Sequence, residues 1–190
     1  MFRYIAVLSA LAFVAPVLAD GVSYNYVEGS YQRVEFDDDF GGNFDGDGFG
    51  IGGSFALNDQ WHLFAGYGTA DLDFDVDLDQ LAVGGGFHMP ISNAVDFVAE
   101  FSYVRFEASS GFASVDDDGF GLSVGARGMA ADRLELAGWV DYIDLDQSGD
   151  DTSIRGEAWY NFTEIFALGF EISSGDDVTQ YGIGGRIFFD

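Results

Sequence analysis

The sequence predicts an all-β chain, folded as an antiparallel up-and-down transmembrane β-barrel of ten strands. Three observations predict it. After Asp20, apolar residues alternate with polar or small ones at a period of two, as strands with one apolar face require. Acidic residues concentrate at every second connection, whereas the connections near Asn58, Pro90, Ala131 and Thr163 are short and nearly uncharged. Aromatic residues gather in two bands, one toward each end of the strands. A sheet whose two ends differ in this way faces two environments. Long loops outside and short turns inside are the pattern of an outer-membrane barrel.

The chain opens with Arg3 and an apolar run from Tyr4 to Leu18, interrupted by Ser9 and Pro16. Val17-Leu18-Ala19 sets small residues at cleavage-recognition positions, so 1–19 reads as a signal peptide cut after Ala19 and 20–190 as the barrel domain. The run is shorter than the ~20 residues a single membrane anchor needs.

The first strand is expected over 23–36, followed by Asp37, Asp38, Asp39, Asp45 and Asp47. Strands over 46–57 and 60–70 flank the turn at Asn58-Asp59, and Asp71, Asp73, Asp75, Asp77 and Asp79 follow. The fourth strand, 78–88, ends at the turn near Pro90. The fifth, 94–107, alternates most clearly: Val95, Phe97, Ala99, Phe101 and Tyr103 share one face, while Asp96, Val98, Glu100, Ser102 and Val104 share the other. Glu107, Asp116, Asp117 and Asp118 form the next acidic connection. In the sixth strand, 118–129, Phe120, Leu122, Val124 and Ala126 alternate with glycine, Ser123 and Arg127. The seventh, 133–144, sets Leu134, Leu136, Gly138, Val140 and Tyr142 against Glu135, Ala137, Trp139, Asp141 and Ile143. After Asp144, Asp146, Asp150 and Asp151 come strands at 152–161 and 164–173. Asp176 and Asp177 precede the last strand, 179–189, where Tyr181, Ile183, Ile187 and Phe189 alternate with Gly182, Gly184, Arg186 and Phe188. These connections hold most of the 33 acidic residues.

Each run approximates the ~9–11 tilted residues that cross a bilayer. An even number of strands returns both ends to one side. Eight strands is the alternative, if the aspartate-rich hairpin near 71–79 lies outside the wall. The 27 glycines, many inside strands, suit a narrow and strongly curved wall. One aromatic band contains Tyr24, Tyr26, Trp61, Phe87, Phe162, Phe166 and Phe189; the other contains Tyr31, Phe36, Tyr67, Tyr103, Tyr142 and Tyr181. Such bands seat a barrel at its two interfaces with the lipid of the outer membrane.

Composition excludes several functions. A formal net charge of -26 repels phosphate and argues against nucleic acid. No cysteine is present, so there is no thiolate nucleophile or Cys-based metal site. All seven basic residues are arginine, the side chain suited to fixed multidentate pairing with carboxylates.

The segment Asp20-Gly-Val-Ser-Tyr-Asn-Tyr-Val-Glu-Gly-Ser-Tyr31 resembles the opening of the Ax family, small outer-membrane proteins associated with diffusible-signal-factor regulation. Trp61-His-Leu-Phe-Ala-Gly-Tyr67 and Asp79-Gln-Leu-Ala-Val-Gly-Gly-Gly-Phe87 resemble the same family. The resemblance covers the leader and first four strands, and implies a small barrel without catalysis and with a signalling or surface role. At the other end, Gly184, Ile187 and Phe189 are similar to the spaced pattern read by the outer-membrane assembly machinery, although Asp190 follows the final aromatic.

Charges on the inward face form the candidate site. Arg127 is expected opposite Glu135, Asp141 within a step of Arg155, and Arg155 beside Glu171. Arg186 closes the ring toward Glu28, with Glu100 and Glu157 nearby. Buried charges must pair. A barrel this narrow is barely wider than its side chains, so the network reads as a structural plug, with a charged constriction for small cations as the alternative. Asp37, Asp38, Asp39, Asp71, Asp73, Asp116, Asp117, Asp118, Asp150, Asp151, Asp176 and Asp177 form an acidic rim. The rim suits weak divalent binding, but 71–79 fails as an EF-hand: Val76 replaces the required glycine and Ala82 the bidentate glutamate. His62 and His88 fall beside short turns without a nucleophile, so no catalytic constellation assembles. The expectation is a monomeric barrel without enzyme activity or cofactor, in a Gram-negative outer membrane. It has a structural or surface-interaction role, with a narrow cation-preferring channel or a soluble exported acidic β-protein as rivals.

Overall fold

The computed structural model describes residues 21–37, 43–73, 76–111, 113–175 and 178–190. The expected leader, 1–19, and Asp38, Asp39, Asp75, Asp176 and Asp177 lie outside the described residues. Ten strands follow one another: β1 (Tyr26–Asp37), β2 (Asn43–Ala56), β3 (Trp61–Leu72), β4 (Val76–Pro90), β5 (Val95–Ser110), β6 (Ala113–Ala131), β7 (Leu134–Leu145), β8 (Gly149–Asn161), β9 (Phe166–Ser174) and β10 (Val178–Phe188). Each pairs antiparallel with its neighbours in sequence, and β10 returns to β1 to close the barrel. Closure removes the free sheet edges that would otherwise seek a partner strand.

The hairpin near 71–79 belongs to the wall, which decides for ten strands: Asp71 lies opposite Asp77, and Leu72 opposite Val76. It also corrects where the acids sit. Most are on strand extensions, not in loops. β6 begins at Ala113, well before the expected 118, and pairs Glu107 with Asp116, Phe106 with Asp117 and Arg105 with Asp118. Asp144 and Asp150 are likewise cross-strand partners. Aspartate and glycine disfavour strands, but the hairpin ladder continues through backbone groups while the carboxylates of Asp116 and Asp118 reach water and Asp117 turns inward. The β7–β8 hairpin closes at Gly149, whose φ of 87° suits a residue without Cβ.

The polarity of the barrel is inverted relative to a soluble sheet. Phe49, Ile51, Leu63, Phe101, Val140, Ile154, Phe170 and Ile183 are exposed on the outside, whereas Arg127, Glu135, Arg186 and His62 are buried inside. The fifth strand divides as its alternation predicts: Phe101 and Tyr103 face out, and Val98, Ser102 and Val104 face in. Outward aromatics pair in the wall, Trp61 with Phe87 at 5.1 Å and Tyr31 with Phe49 at 5.4 Å between ring centroids. Three expected girdle members belong elsewhere. Tyr24 and Tyr26 turn into the lumen against arginines, and Phe36 shares the inward parity of Glu28 on β1.

Candidate functional site

The inward face repeats every second residue, and three arginines occupy it. Arg186 on β10 lies directly opposite Glu28 on β1. Its Nη2 is 2.8 Å from Glu28 Oε2, its Nη1 3.2 Å from Glu135 Oε1, and its Nη2 3.7 Å from Glu157 Oε2. The guanidinium lies between two rings, 4.0 Å from Tyr26 and 3.9 Å from Trp159 at the centroids. Planar guanidinium suits this stacking as well as multidentate pairing.

The remaining pairs extend from this hub. Glu135 Oε1 also accepts from Arg127 Nε at 2.6 Å. Glu157 accepts from Arg155 Nη1 at 2.6 Å through one oxygen and from Trp159 Nε1 at 3.0 Å through the other. Arg155 donates twice to Asp141, at 3.0 and 3.2 Å, and Glu171 lies 4.0 Å from its Nη1. A continuous chain therefore runs Arg127–Glu135–Arg186–Glu157–Arg155–Asp141. Because β7 and β10 are not hydrogen-bonded neighbours, the Glu135–Arg186 contact crosses the lumen rather than following the wall.

Every member lies on an inward-facing rung, but several rungs differ from those expected. Arg127 lies opposite Ala137 and Glu135 opposite Met129, with a register shift between Met129 and Ala131 at the turn. Asp141 lies opposite Ser153, and Glu171 lies opposite Glu157 rather than Arg155. Arginine's length bridges these single same-face steps, so the contacts form nonetheless. Glu100, expected near Arg186, belongs to a second group. Its Oε1 is 3.0 Å from His62 Nε2, and His62 Nδ1 is 3.1 Å from His88 Nδ1. Tyr24 stacks on His88 at 3.7 Å and donates to Asp96 at 3.1 Å, and the Arg127 guanidinium lies 4.9 Å from the same ring. In sequence the histidines fall beside turns and nothing signals this group, although His62 and His88 share the inward parity of β3 and β4.

Among the described residues no three His, Asp or Glu side chains are grouped to hold a metal ion. The rim is dispersed. Asp71 and Asp116 lie on outward-facing rungs, and Asp73 accepts from the Asp45 backbone. Asp117 is instead buried at the acidic end, where it accepts from the Ser148 hydroxyl at 2.6 Å and from the Ser148 and Gln147 amides at 2.8 and 3.1 Å. These donors, the hydroxyl foremost, hold its carboxyl below the usual aspartate range.

Residues 5–162 match the family model described as outer membrane protein beta-barrel domain. No curated protein matches the chain. Among solved structures, the translocator domain of autotransporter NalP from Neisseria meningitidis is similar at 12% identity and a TM-score of 0.53, covering 88% of this chain and 89% of that one. The β domain of the Bordetella autotransporter BrkA follows at 11% identity and 0.51, covering 87% and 99%. The KdgM porin is 13% identical over 86% and 99%, with a TM-score of 0.48. At these identities the likeness concerns the fold.

Proposed function

The chain belongs to the outer membrane protein β-barrel family and resides in the Gram-negative outer membrane; on that premise we propose a small barrel, plugged at rest, with a structural or surface-interaction role and no catalysis. The short turns face the periplasm and the acidic hairpins face outward, following an exported leader. The observation that carries the proposal is the salt-bridge chain across the lumen. Arg127, Glu135 and Arg186 are each at most 4% exposed. Charges so buried persist only when paired, and a pathway through them would have to break the pairs. The acidic rungs present carboxylates to whatever lies outside, including divalent cations held weakly between them and anionic lipid. The resemblance of the first strands to the Ax family supports the same non-catalytic surface reading.

A second reading, a narrow cation-preferring channel, has one specific observation in its favour. A Cβ added at inward-facing Gly66 or Gly68 would meet only a neighbouring backbone carbonyl, Ile51 O at 3.9 Å or Phe49 O at 3.8 Å. The lumen is open in front of β3. Proteoliposome swelling separates the two readings. The plug predicts no swelling in isosmotic small sugars or ammonium salts, whereas swelling at porin-like rates favours the channel and overturns the plug.

A further inference from the structure

The lumen has two unlike halves. The arginine chain occupies the side formed by β6 to β10 and β1. On β2, β3 and β4 glycines cluster at mid-strand inward positions: Gly50 and Gly52, Gly66 and Gly68, Gly84 and Gly86. Open space stands before Gly66 and Gly68, but toward the short-turn end it fills. Phe64 occupies the room beside Gly84, and the His62 ring and Glu100 crowd Gly86. The final obstruction comes from outside the wall. Tyr24 precedes β1, yet its ring is only 6% exposed. It stacks within 3.7 Å of His88 and 4.8 Å of His62. The segment carrying it is tied to the barrel at Asn25, whose Oδ1 accepts from the Ala56 amide at 2.8 Å and whose carbonyl accepts from Phe189 at 3.2 Å. Beyond that anchor the segment borders an open cleft, lined by residues of 21–25, the Asn58-Asp59 turn and Pro90.

We infer that Tyr24 is a removable stopper for the glycine-walled half of the lumen. The segment before Asn25 swings aside as a strap, while the arginine half stays shut. The ring is held by its stack on the histidines, the Arg127 guanidinium, packing against Val98, Ala137 and Trp139, and one hydrogen bond to Asp96. All are non-covalent contacts that can re-form, so the closed state is the resting one and its opening is reversible. Side chains along the freed path, Glu100, Asp96, Ser102 and Gln80, favour a small cation. This inference rests on the channel reading and supplies its gate.

Because the chain has no cysteine, a spin label at Val22→Cys reports the strap alone, and planar-bilayer recording reports the pore. With Tyr24 intact the label is immobile and the bilayer silent. Tyr24→Ala mobilises the label and raises open probability about tenfold or more, with cation selectivity. Tyr24→Phe, which keeps the stack but lacks the Asp96 bond, stays near wild type. An equally immobile label in Tyr24→Ala overturns the strap, and a mobile label with a silent bilayer overturns the stopper. If wild-type proteoliposomes swell in small ammonium salts while Tyr24→Ala leaves the bilayer record unchanged, the channel reading survives and the gate lies elsewhere. If neither the wild type nor Tyr24→Ala passes ions with the label mobile, the channel reading fails as well. Heat-modifiable migration of each variant reports its folding.

Discussion

Arg186 and Glu28, 158 residues apart in sequence, face each other across the seam where the last strand meets the first, with nitrogen and oxygen 2.8 Å apart. The seam is therefore tied by a side-chain pair as well as by the β1–β10 ladder. The same guanidinium also neutralises Glu135 and Glu157. Replacing it with Met leaves Glu28 without a cation, while Glu135 keeps Arg127 and Glu157 keeps Arg155. Breaking a buried pair from one side costs roughly 3–5 kcal/mol, so Arg186→Met lowers the unfolding free energy of the barrel in lipid vesicles by that order, read as a lower urea midpoint. Adding Glu28→Gln recovers part of the loss by removing the orphaned charge. An unchanged midpoint would show that the pair adds nothing to closure.

Packing against the tryptophans gives a second expectation. Gly169 lies under the Trp159 ring, where a Cβ would collide with ring carbons, whereas Gly66 faces open lumen. Gly169→Ala displaces Trp159 and loosens its bond to Glu157, at a cost of about 1–3 kcal/mol. Gly66→Ala leaves stability nearly unchanged. Urea titration followed by tryptophan fluorescence distinguishes them, and equal effects would contradict the assigned faces.

The acidic end has its own pH dependence. Asp117 holds the β7–β8 turn through Gln147 and Ser148, and these donors depress its carboxyl. A depressed acid contributes stability that is fully present above its unfolded value, about 3.9, and is lost as pH falls through its lower folded value. Amide exchange at Gln147 and Ser148, corrected for intrinsic rates, thus stays protected at mildly acidic pH. Protection falls only below the ordinary aspartate range. Asp117→Ala removes it at neutral pH, and protection surviving that change would refute the capping role.

Much of this was legible because a strand's period is two. Glu135, Trp139 and Asp141 share one parity in the sequence, and all three face the lumen. Strand number was also legible, since every second connection differs in charge. Rung-level register was less so: the shift between Met129 and Ala131 moves Glu135 one same-face step from Arg127, and no residue type in that turn signals it. The acidic residues misled, because Asp and Gly read as loop while Asp116, Asp117 and Asp118 extend β6. Tyr24 reads in sequence as a girdle aromatic. Its inward parity with Tyr26 and Glu28 was readable, but its stacking on His88 depends on strands brought together only by closure.

The chain Arg127–Glu135–Arg186–Glu157–Arg155–Asp141 seals its half of the lumen. The most direct measurement is planar-bilayer conductance of wild type and Arg155→Ala under the same salt. Arg155 joins Asp141 to Glu157, and its loss leaves carboxylates facing an opened gap. The predicted result is a silent wild type and discrete cation-selective steps from Arg155→Ala. A wild type that already conducts, with steps unaltered by Arg155→Ala, would contradict the claim.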